Sequence, residues 1–245
     1  MTPRLLCIVT HPDDETMLTG GMLAMLAHHG VAIDILCATR GEGGEMGEPP
    51  LVAREALGRT REQELWCAAR ALGAQTVRFL DYVDPVVGED KPLYPYTDHL
   101  DEATDYVLRA IERAAPDLVL THGSNGEYGH PGHVMTHRAV MAAHKQLRTR
   151  DDAPALYTFC AAIPGREDRI FNDDDPADIV LDVAPWLTAK ADAARCHRTQ
   201  HGLFFRNHPE AETMEEVVRK QEALHRVWPE AGPEFDVFEP YRIRT

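Results

Sequence analysis

Residues 4–15 read RLLCIVTHPDDE, an apolar run that changes abruptly into a polar one. Residues 5–9 are apolar without interruption and stop at Thr10-His11-Pro12, which is typical of a strand buried inside a parallel sheet. Apolar residues then recur at helical spacing over 17–28. The stretch therefore predicts a strand, a polar turn and a helix, which is the opening of a βαβ unit.

The same alternation continues along the chain. Further strands are predicted at 31–38, 76–80, 117–121, 156–161, 179–183 and 235–238, and further helices at 54–72, 101–114, 133–147, 186–197 and 211–227. A long loop is predicted over 81–98, and the acidic run 172–175 is predicted to be a solvated loop. Strands alternating with helices indicate an α/β fold, here a Rossmann-like, mostly parallel sheet with helices on both faces.

The chain shows no linker rich in Ser, Gly or Pro and no internal repeat. We therefore expect residues 1–245 to form a single domain. In this arrangement the part from about residue 150 onward completes the sheet and forms a wall of the active site.

Composition excludes several classes of partner. Lys and Arg number 25 and Asp and Glu 40, so the net charge is −15, which repels nucleic acids and anionic lipids. No apolar stretch approaches the ~18 residues of a membrane span, so no membrane insertion is expected. The five cysteines are scattered and contain no C-x-x-C pair, which favours reduced thiols in a cytoplasmic protein.

Two polar clusters follow two of the predicted strands. The first holds His11 and the three acidic residues 13–15, and the second runs from His122 through Glu127 to His130 and His133. Because ligands bind beyond the carboxyl ends of parallel strands, we expect the clusters to meet at one edge of the sheet. Adjacent carboxylates need a compensating positive charge, and a His-Asp-His set with one open position is typical of catalytic zinc.

Each cluster alone has a structural explanation. Asp13 and Asp14 are good capping residues for the helix that follows, and a His-x-x-His pair such as His130 and His133 also occurs at helix starts without metal. Their joint occurrence favours a metal site, with Asp13 or Glu15 left over as a base. G-x-G-x-x-G after the first strand, a Walker motif and a G-x-S-x-G elbow are all absent from the sequence.

The motifs resemble the LmbE/PIG-L family of metal-dependent N-acetylglucosaminyl deacetylases, which includes deacetylases of the mycothiol and bacillithiol pathways. The matching segments are HPDDE at 11–15, Gly20-Gly21, Thr39-Arg40-Gly41, the helix pattern over 61–73, HPGH at 130–133 and the pattern over 190–200. The resemblance covers roughly residues 4–202. Many members carry Asp where this chain has Gly132, and the segment 81–98 does not align convincingly. Glu15 gives the motif the form HPDDE and not HPDDA, which favours inositol-linked over malate-linked sugars.

This resemblance implies a metal site and a set of catalytic residues. It implies one Zn²⁺ per chain, with Fe²⁺ as an alternative. The implied metal ligands are His11, Asp14 and His133. The implied catalytic residues are Asp13 as general base and His130 as the group that stabilises the oxyanion or protonates the leaving amine. The implied substrate-binding residues are Tyr128, which polarises the carbonyl, and Arg61, which contacts sugar hydroxyls.

The function implied is removal of the acetyl group from an N-acetylglucosamine-type sugar conjugate by metal-activated water. Its partner would be a small-molecule amino-sugar conjugate, and a homo-oligomer is one open arrangement. Two alternatives stay open at this point. One is a metal-dependent hydrolase of another bond, such as a phosphoester or another amide, and the other is a non-catalytic sugar- or metal-binding module.

Overall fold

The computed structural model describes residues 2–87, 92–229, 238 and 241–243. Its strands are β1 (Arg4–Val9), β2 (Ala32–Thr39), β3 (Thr76–Tyr82), β4 (Leu118–Thr121), β5 (Ala155–Phe159), β6 (Ala161–Ala162), β7 (Asn172–Pro176), β8 (Ile179–Asp182) and β9 (Gln221–Trp228). Its α-helices are α1 (Asp14–His28), α2 (Arg54–Leu72), α3 (Leu100–Ala114), α4 (Gly126–Gly129), α5 (Pro131–Leu147), α6 (Leu187–Cys196), α7 (His201–Asn207) and α8 (Met214–Val217).

Seven strands form one sheet in the order β3-β2-β1-β4-β5-β9-β8. The first five are parallel, with β1 between β2 and β4. β9 runs antiparallel to both β5 and β8. The predicted Rossmann-like, mostly parallel α/β sheet is confirmed, and the order β3-β2-β1-β4 places a change of winding direction beside β1.

The two faces of the sheet bury separate apolar cores, as the continuous apolar strands require. Leu5 and Val9 of β1 point into a core shared with α1 and α2. Leu6 and Ile8 of the same strand point into a second core shared with α3 and α5. Helices therefore cover both faces, and the edge at the carboxyl ends of β1 and β4 is left to polar residues.

The predicted helix over 211–227 is wrong. Only α8 forms there, and the chain continues into β9. β9 pairs with β5 on one side and β8 on the other, so a complete ladder outweighs the helix propensity of its residues. Glu222 of β9 is buried because it accepts hydrogen bonds from Lys190 Nζ at 2.7 Å and from the backbone N–H of Met22 at 2.7 Å.

The acidic run 172–175 is also not a solvated loop. It lies in β7, which pairs with β6 in a small second sheet. Asn172 and Asp175 are buried, and both bind the backbone of the segment that follows β4. The predicted closing strand at 235–238 lies, apart from Phe238, outside the described residues.

The prediction of reduced thiols is wrong for two of the five cysteines. Cys67 of α2 and Cys196 at the end of α6 form a disulfide, with Cα atoms 5.7 Å apart. The two helices pack side by side, which brings together residues separated by 129 positions in sequence. Cys7, Cys37 and Cys160 are free and buried.

Among the helices of the described residues, none combines the length and the apolar character that crossing a bilayer requires.

Candidate metal centre and active site

The first motif occupies the turn between β1 and α1. The helix begins at Asp14, earlier than the apolar spacing predicted, and Asp14 Oδ2 accepts the backbone N–H of His11 at 2.8 Å. Asp13 stands at the N-cap but makes no side-chain capping bond. Its φ is 121°, a strained conformation for a residue other than glycine. Helix capping therefore does not account for Asp13.

The second motif occupies the segment between β4 and α5. Glu127 also has positive φ, at 61°. His130 is the N-cap of α5, and its Nδ1 accepts the N–H of Gly132 at 3.0 Å. His133 lies in the first turn of α5 and is 1% exposed. This segment delivers two imidazoles to the edge where β1 ends.

The three predicted metal ligands meet at this edge. Nδ1 of His11 lies 3.5 Å from Asp14 Oδ2, and Nε2 of His133 lies 3.3 Å from Asp14 Oδ1. The two imidazole nitrogens are 3.3 Å apart. Zinc bonds of about 2.0–2.1 Å in a tetrahedral site place ligand atoms about 3.3 Å from one another. The two imidazole nitrogens have the spacing that a single ion needs, and Asp14 turns one carboxylate oxygen toward each of them.

Two carboxylates set the tautomers of the imidazoles. Asp84 Oδ1 lies 3.2 Å from Nε2 of His11, and Glu127 Oε2 lies 2.6 Å from Nδ1 of His133. Because a carboxylate accepts the N–H, the opposite nitrogens face the shared point, where each offers a lone pair once it has lost its proton. A carboxylate behind the imidazole is the usual support of a metal-binding histidine.

His122 lies beside this group without offering it a lone pair. Its ring stacks on His133 with centroids 4.1 Å apart. Its Nε2 accepts the backbone N–H of Thr10 at 3.0 Å, and its Nδ1 donates to Glu127 Oε2 at 2.9 Å. The donor atoms of Asp14, His122 and His133 are close enough to hold an ion, but the hydrogen bonds of His122 assign it a supporting role.

The buried carboxylates of the cluster need a compensating positive charge. Burial opposes protonation of His11, but the hydrogen bonds of Asp14 and Asp84 raise its pKa to about 9. Burial also opposes protonation of His133, but Asp14 and Glu127 outweigh it and raise the pKa of His133 to about 10. Protons on these rings balance the carboxylates, and a divalent cation would supply the same charge. The donor set therefore fits a divalent metal ion.

Asp13 and Glu15 have different surroundings. Glu15 is fully buried, and its carboxylate receives the backbone N–H of Asp13 at 3.0 Å and faces Nε2 of His197 at 2.9 Å. Asp13 instead lines the cavity beside the metal ligands. Burial raises its pKa to about 6, although Arg61 opposes that shift. Of the two carboxylates, Asp13 has the position and the proton affinity of a base.

His130 and Tyr128 face the same cavity. Burial and the neighbouring His11 and His133 lower the pKa of His130 to about 3. Since Nδ1 of this neutral ring accepts the Gly132 N–H, its Nε2 carries the hydrogen. The ring of Tyr128 lies 5.7 Å from that of His130, and the residue is 50% exposed. His130 is placed as a hydrogen-bond donor.

Arg61 is more enclosed than a sugar-binding residue needs to be. It is 3% exposed and donates to the carbonyl oxygens of Gly41, at 3.0 Å, and Pro12. Its Nη2 lies 3.4 Å from Asp13 Oδ2. Arg61 therefore braces the turn that carries Asp13, and its contact with sugar hydroxyls stays a prediction.

Comparison with known proteins agrees with this geometry. Residues 6–144 match the family described as PIG-L, GlcNAc-PI de-N-acetylase. A 1D-myo-inositol 2-acetamido-2-deoxy-alpha-D-glucopyranoside deacetylase from Acidothermus cellulolyticus is 33% identical, over 84% of this chain and 83% of the relative. The chain belongs to the PIG-L family. The resemblance predicted from the motifs is confirmed.

Two solved structures share the fold of this PIG-L family member. The N,N'-diacetylchitobiose deacetylase of Pyrococcus horikoshii has a TM-score of 0.67 and 20% identity, over 91% of this chain and 83% of that one. The 4-carboxy-2-hydroxymuconate hydratase of Pseudomonas putida has a TM-score of 0.65 and 20% identity, over 96% and 100%. One fold carries both a deacetylase and a hydratase, so the reaction has to be argued from the site.

The site of this family member opens into a cavity of about 900 Å³. Its buried lining residues include His11, Asp14 and His130, and we call this part the inner end. The exposed lining residues include Val87 and Tyr94 of the segment after β3, and we call this part the outer end. A volume of this size exceeds what a single sugar ring needs and is in the usual range for small-molecule sites.

Sequence reasoning assigned no role to three residues that build the site. Asp84 lies in the segment 81–98, Glu127 precedes the second motif by three residues, and His122 directly follows β4. None has a motif of its own, because each acts through a partner distant in sequence or through a turn. Their position just after strand ends was the available signal, and it singled out many other residues as well.

Proposed function

We propose that this chain is a metal-dependent N-deacetylase that removes the acetyl group from an N-acetylglucosamine-type sugar conjugate. The family and the relatives confirm the class of reaction predicted from the sequence, hydrolysis of an amide. One observation carries the proposal beyond the family. The side chains of His11, Asp14 and His133 converge, with nitrogen and oxygen atoms 3.3–3.5 Å apart, next to Asp13, a further carboxylate that lines the cavity.

His11, Asp14 and His133 would hold the ion, which when bound supplies a Lewis acid that polarises a carbonyl and makes water more acidic. We propose Zn²⁺ because two imidazoles and one carboxylate are a frequent catalytic zinc set. The same donors also suit Fe²⁺. Among the described residues, possible ligands form two groups, His11 with His130 and His133, and Asp14 with His122 and His133. Both contain His133, which supports one ion per chain.

Asp13 is the proposed general base. Its carboxylate takes a proton from the attacking water as that water adds to the acetyl carbonyl. A pKa of about 6 leaves Asp13 ionised at neutral pH and still basic enough to accept the proton. Arg61, 3.4 Å away, holds the carboxylate in place.

His130 is the proposed oxyanion donor. His130 lines the cavity and carries its hydrogen on Nε2, and a well-placed neutral donor contributes about 3 kcal/mol to stabilising the tetrahedral oxyanion. The low pKa of His130 disfavours the charged ring as an acid. Asp13, carrying the transferred proton, is therefore the better candidate to protonate the leaving amine. Tyr128, which is half exposed, is proposed to contact the acetyl carbonyl.

The proposal is tested by measuring amine release from a panel of N-acetylglucosamine conjugates. The purified protein is first treated with a chelator and then reloaded with Zn²⁺ or Fe²⁺. Release of acetate and free amine that disappears with chelation and returns with one equivalent of metal supports the proposal. Stoichiometric metal without acetate release would favour a binding module, and two ions per chain with phosphoester cleavage would favour the other hydrolase.

The cytoplasm remains the proposed location, with Cys7, Cys37 and Cys160 as free thiols. The Cys67–Cys196 disulfide is the feature that tests it. Alkylation of the protein inside intact cells should label both cysteines if the compartment is reducing. Protection of both from alkylation would contradict a cytoplasmic location.

A further inference from the structure

The peptide group between Pro12 and Asp13 is held by a side chain at each end. Its carbonyl oxygen accepts a hydrogen bond from Nη2 of Arg61, and its N–H donates to Glu15 Oε2 at 3.0 Å. The φ of Asp13 is 121°, and a half-turn of this peptide plane would bring that angle into the ordinary negative range. A strained conformation of this kind persists only where the surroundings fix it, and here the two side chains do so.

Glu15 is fixed in turn by a histidine that is distant in sequence. Its Oε1 lies 2.9 Å from Nε2 of His197, 182 positions away, and also accepts the hydroxyl of Thr16. Because a carboxylate can only accept, Nε2 of His197 carries the hydrogen. Both residues are fully buried, and Nδ1 of His197 has no hydrogen-bond partner within the described part of the chain. The ring therefore makes its hydrogen bonds on the side of Glu15, although its other nitrogen stays unsatisfied.

The segment that carries His197 is fastened to α2. Cys196, the preceding residue, forms the disulfide with Cys67 of that helix. Thr199 donates its backbone N–H, at 2.9 Å, and its hydroxyl, at 2.6 Å, to the carboxylate of Glu64, which also belongs to α2. The same helix carries the arginine that holds the opposite end of the peptide. One rigid helix therefore supports both of the side chains that fix this peptide.

We propose that Glu15 and His197 are positioning residues, which keep Asp13 in the conformation in which it acts as general base. This inference rests on the proposed deacetylase function. Neither residue lines the cavity, so both act through the backbone of Asp13 and not on the substrate. Because a misplacement of about 1 Å in an active site can cost on the order of a hundredfold in rate, loosening this turn should reduce kcat. Binding of the substrate and of the metal should change little.

Two variants of His197 test this role, with the N-acetylglucosamine conjugate that the unchanged protein hydrolyses fastest as substrate. His197→Leu removes the hydrogen-bond donor and should lower kcat at least about tenfold. KM should stay within about twofold, because the lost interaction does not involve bound substrate. His197→Gln supplies an N–H with a similar reach and should recover most of the rate. Metal content is measured for both variants and should remain at one ion per chain.

A double variant separates positioning from support of the fold. Glu15→Met together with His197→Leu replaces both partners by apolar side chains, so neither is left as an unpaired buried charge and the fold is retained. If the pair only stabilised the fold, this variant would keep the rate of the unchanged protein. The positioning role predicts a loss of at least about tenfold in kcat. Denaturant unfolding and acetate release measure the two properties, and a folded, metal-loaded double variant with unchanged kcat would overturn the proposal.

The variants are also made in protein that carries Asp13→Asn. Because His197 acts through Asp13, His197→Leu should lower kcat no further in that background. The same fold-loss in both backgrounds would show that His197 acts independently of the base. His144→Leu is the matched control and should leave kcat unchanged. His144 is also buried, and its Nε2 donates to the carbonyl oxygen of Pro154 at 2.8 Å, but it does not line the cavity.

The outcomes distinguish this inference from the function on which it rests. Absence of acetate release by the unchanged, metal-loaded protein on every N-acetylglucosamine conjugate would overturn the function and this inference with it. Acetate release by the unchanged protein, together with an equal kcat in folded His197→Leu protein, would overturn the positioning role alone.

Discussion

The inner and outer ends of the cavity are built in opposite ways. At the inner end His11 and His133 are buried, and each has a carboxylate behind its ring. At the outer end Val87 and Tyr94 are 41% and 49% exposed. The inner geometry is fixed by many mutually dependent hydrogen bonds, whereas an outer side chain can be exchanged at little cost in stability. One cavity therefore combines a fixed set of buried polar residues with an exchangeable set of exposed apolar residues.

The strongest test of the inner end is removal of the proposed base. Asp13→Asn keeps the shape of the side chain but cannot accept the proton, so kcat should fall by about 10²–10⁴. The ion should remain bound, because Asp13 is not among the proposed ligands. Acetate release and metal content of the purified variant measure the two effects. Asp173→Asn, an exposed position, is the control, and a variant at Asp13 with near wild-type kcat would show that another group is the base.

Metal affinity should depend steeply on pH. His11 and His133 have raised pKa values of about 9 and about 10 without an ion, so at neutral pH the ion has to displace protons from them. For each proton that the ion displaces, the apparent affinity for the metal should fall about tenfold when the pH is lowered by one unit. Calorimetry in buffers of different ionisation enthalpy counts the protons released. Binding without proton release would contradict the electrostatic account of the inner end.

Glu127 tests whether the residues behind the ligands matter. Glu127→Gln keeps one oxygen that accepts hydrogen bonds, but that oxygen is uncharged. The N–H groups of His122 and His133 therefore lose their shared carboxylate acceptor. The dissociation constant for the metal should rise about 10–100-fold. Competition with a chromophoric chelator measures it, and Glu112→Gln on the exposed surface serves as control. A dissociation constant equal to that of the unchanged protein would remove Glu127 from the metal site.

The outer end should show the smallest effect on stability. Val87→Ser should change the free energy of unfolding by no more than about 0.5 kcal/mol, because the side chain is already exposed. The matched change in the core, Val9→Ser on β1, should cost at least about 2 kcal/mol. Denaturant unfolding of both variants provides the comparison. A large loss of unfolding free energy in the Val87 variant would mean that this part of the cavity belongs to the core.

The strand ends could be predicted from sequence because the apolar pattern of β1 stops directly before the polar residues of the site. Apolar residues end where backbone and side chains must meet solvent or a ligand, so His11 and His133 fall at the same edge of a parallel sheet. The spacing from His11 to Asp14 also fits one turn of chain. These are local rules, and they needed no knowledge of distant contacts.

The errors of prediction lie where distant contacts decide. Glu222 looks like an exposed helix residue until Lys190, 32 positions earlier, is placed opposite it. Asp175 looks solvated until the Ser124 N–H reaches it. Asp84 and Glu127 became recognisable only when His11 and His133 were beside them. Sequence spacing carries no information about such pairs.

The position of β9 has a consequence for how the protein is made. This strand belongs to the interior of the sheet, between β5 and β8, although it is the last strand along the described chain. During synthesis the ribosome must therefore release residue 228 before β5 can acquire its second neighbour. Until then the nascent chain presents an open hydrogen-bonding edge, the kind of surface on which chaperones act and on which unfinished chains associate.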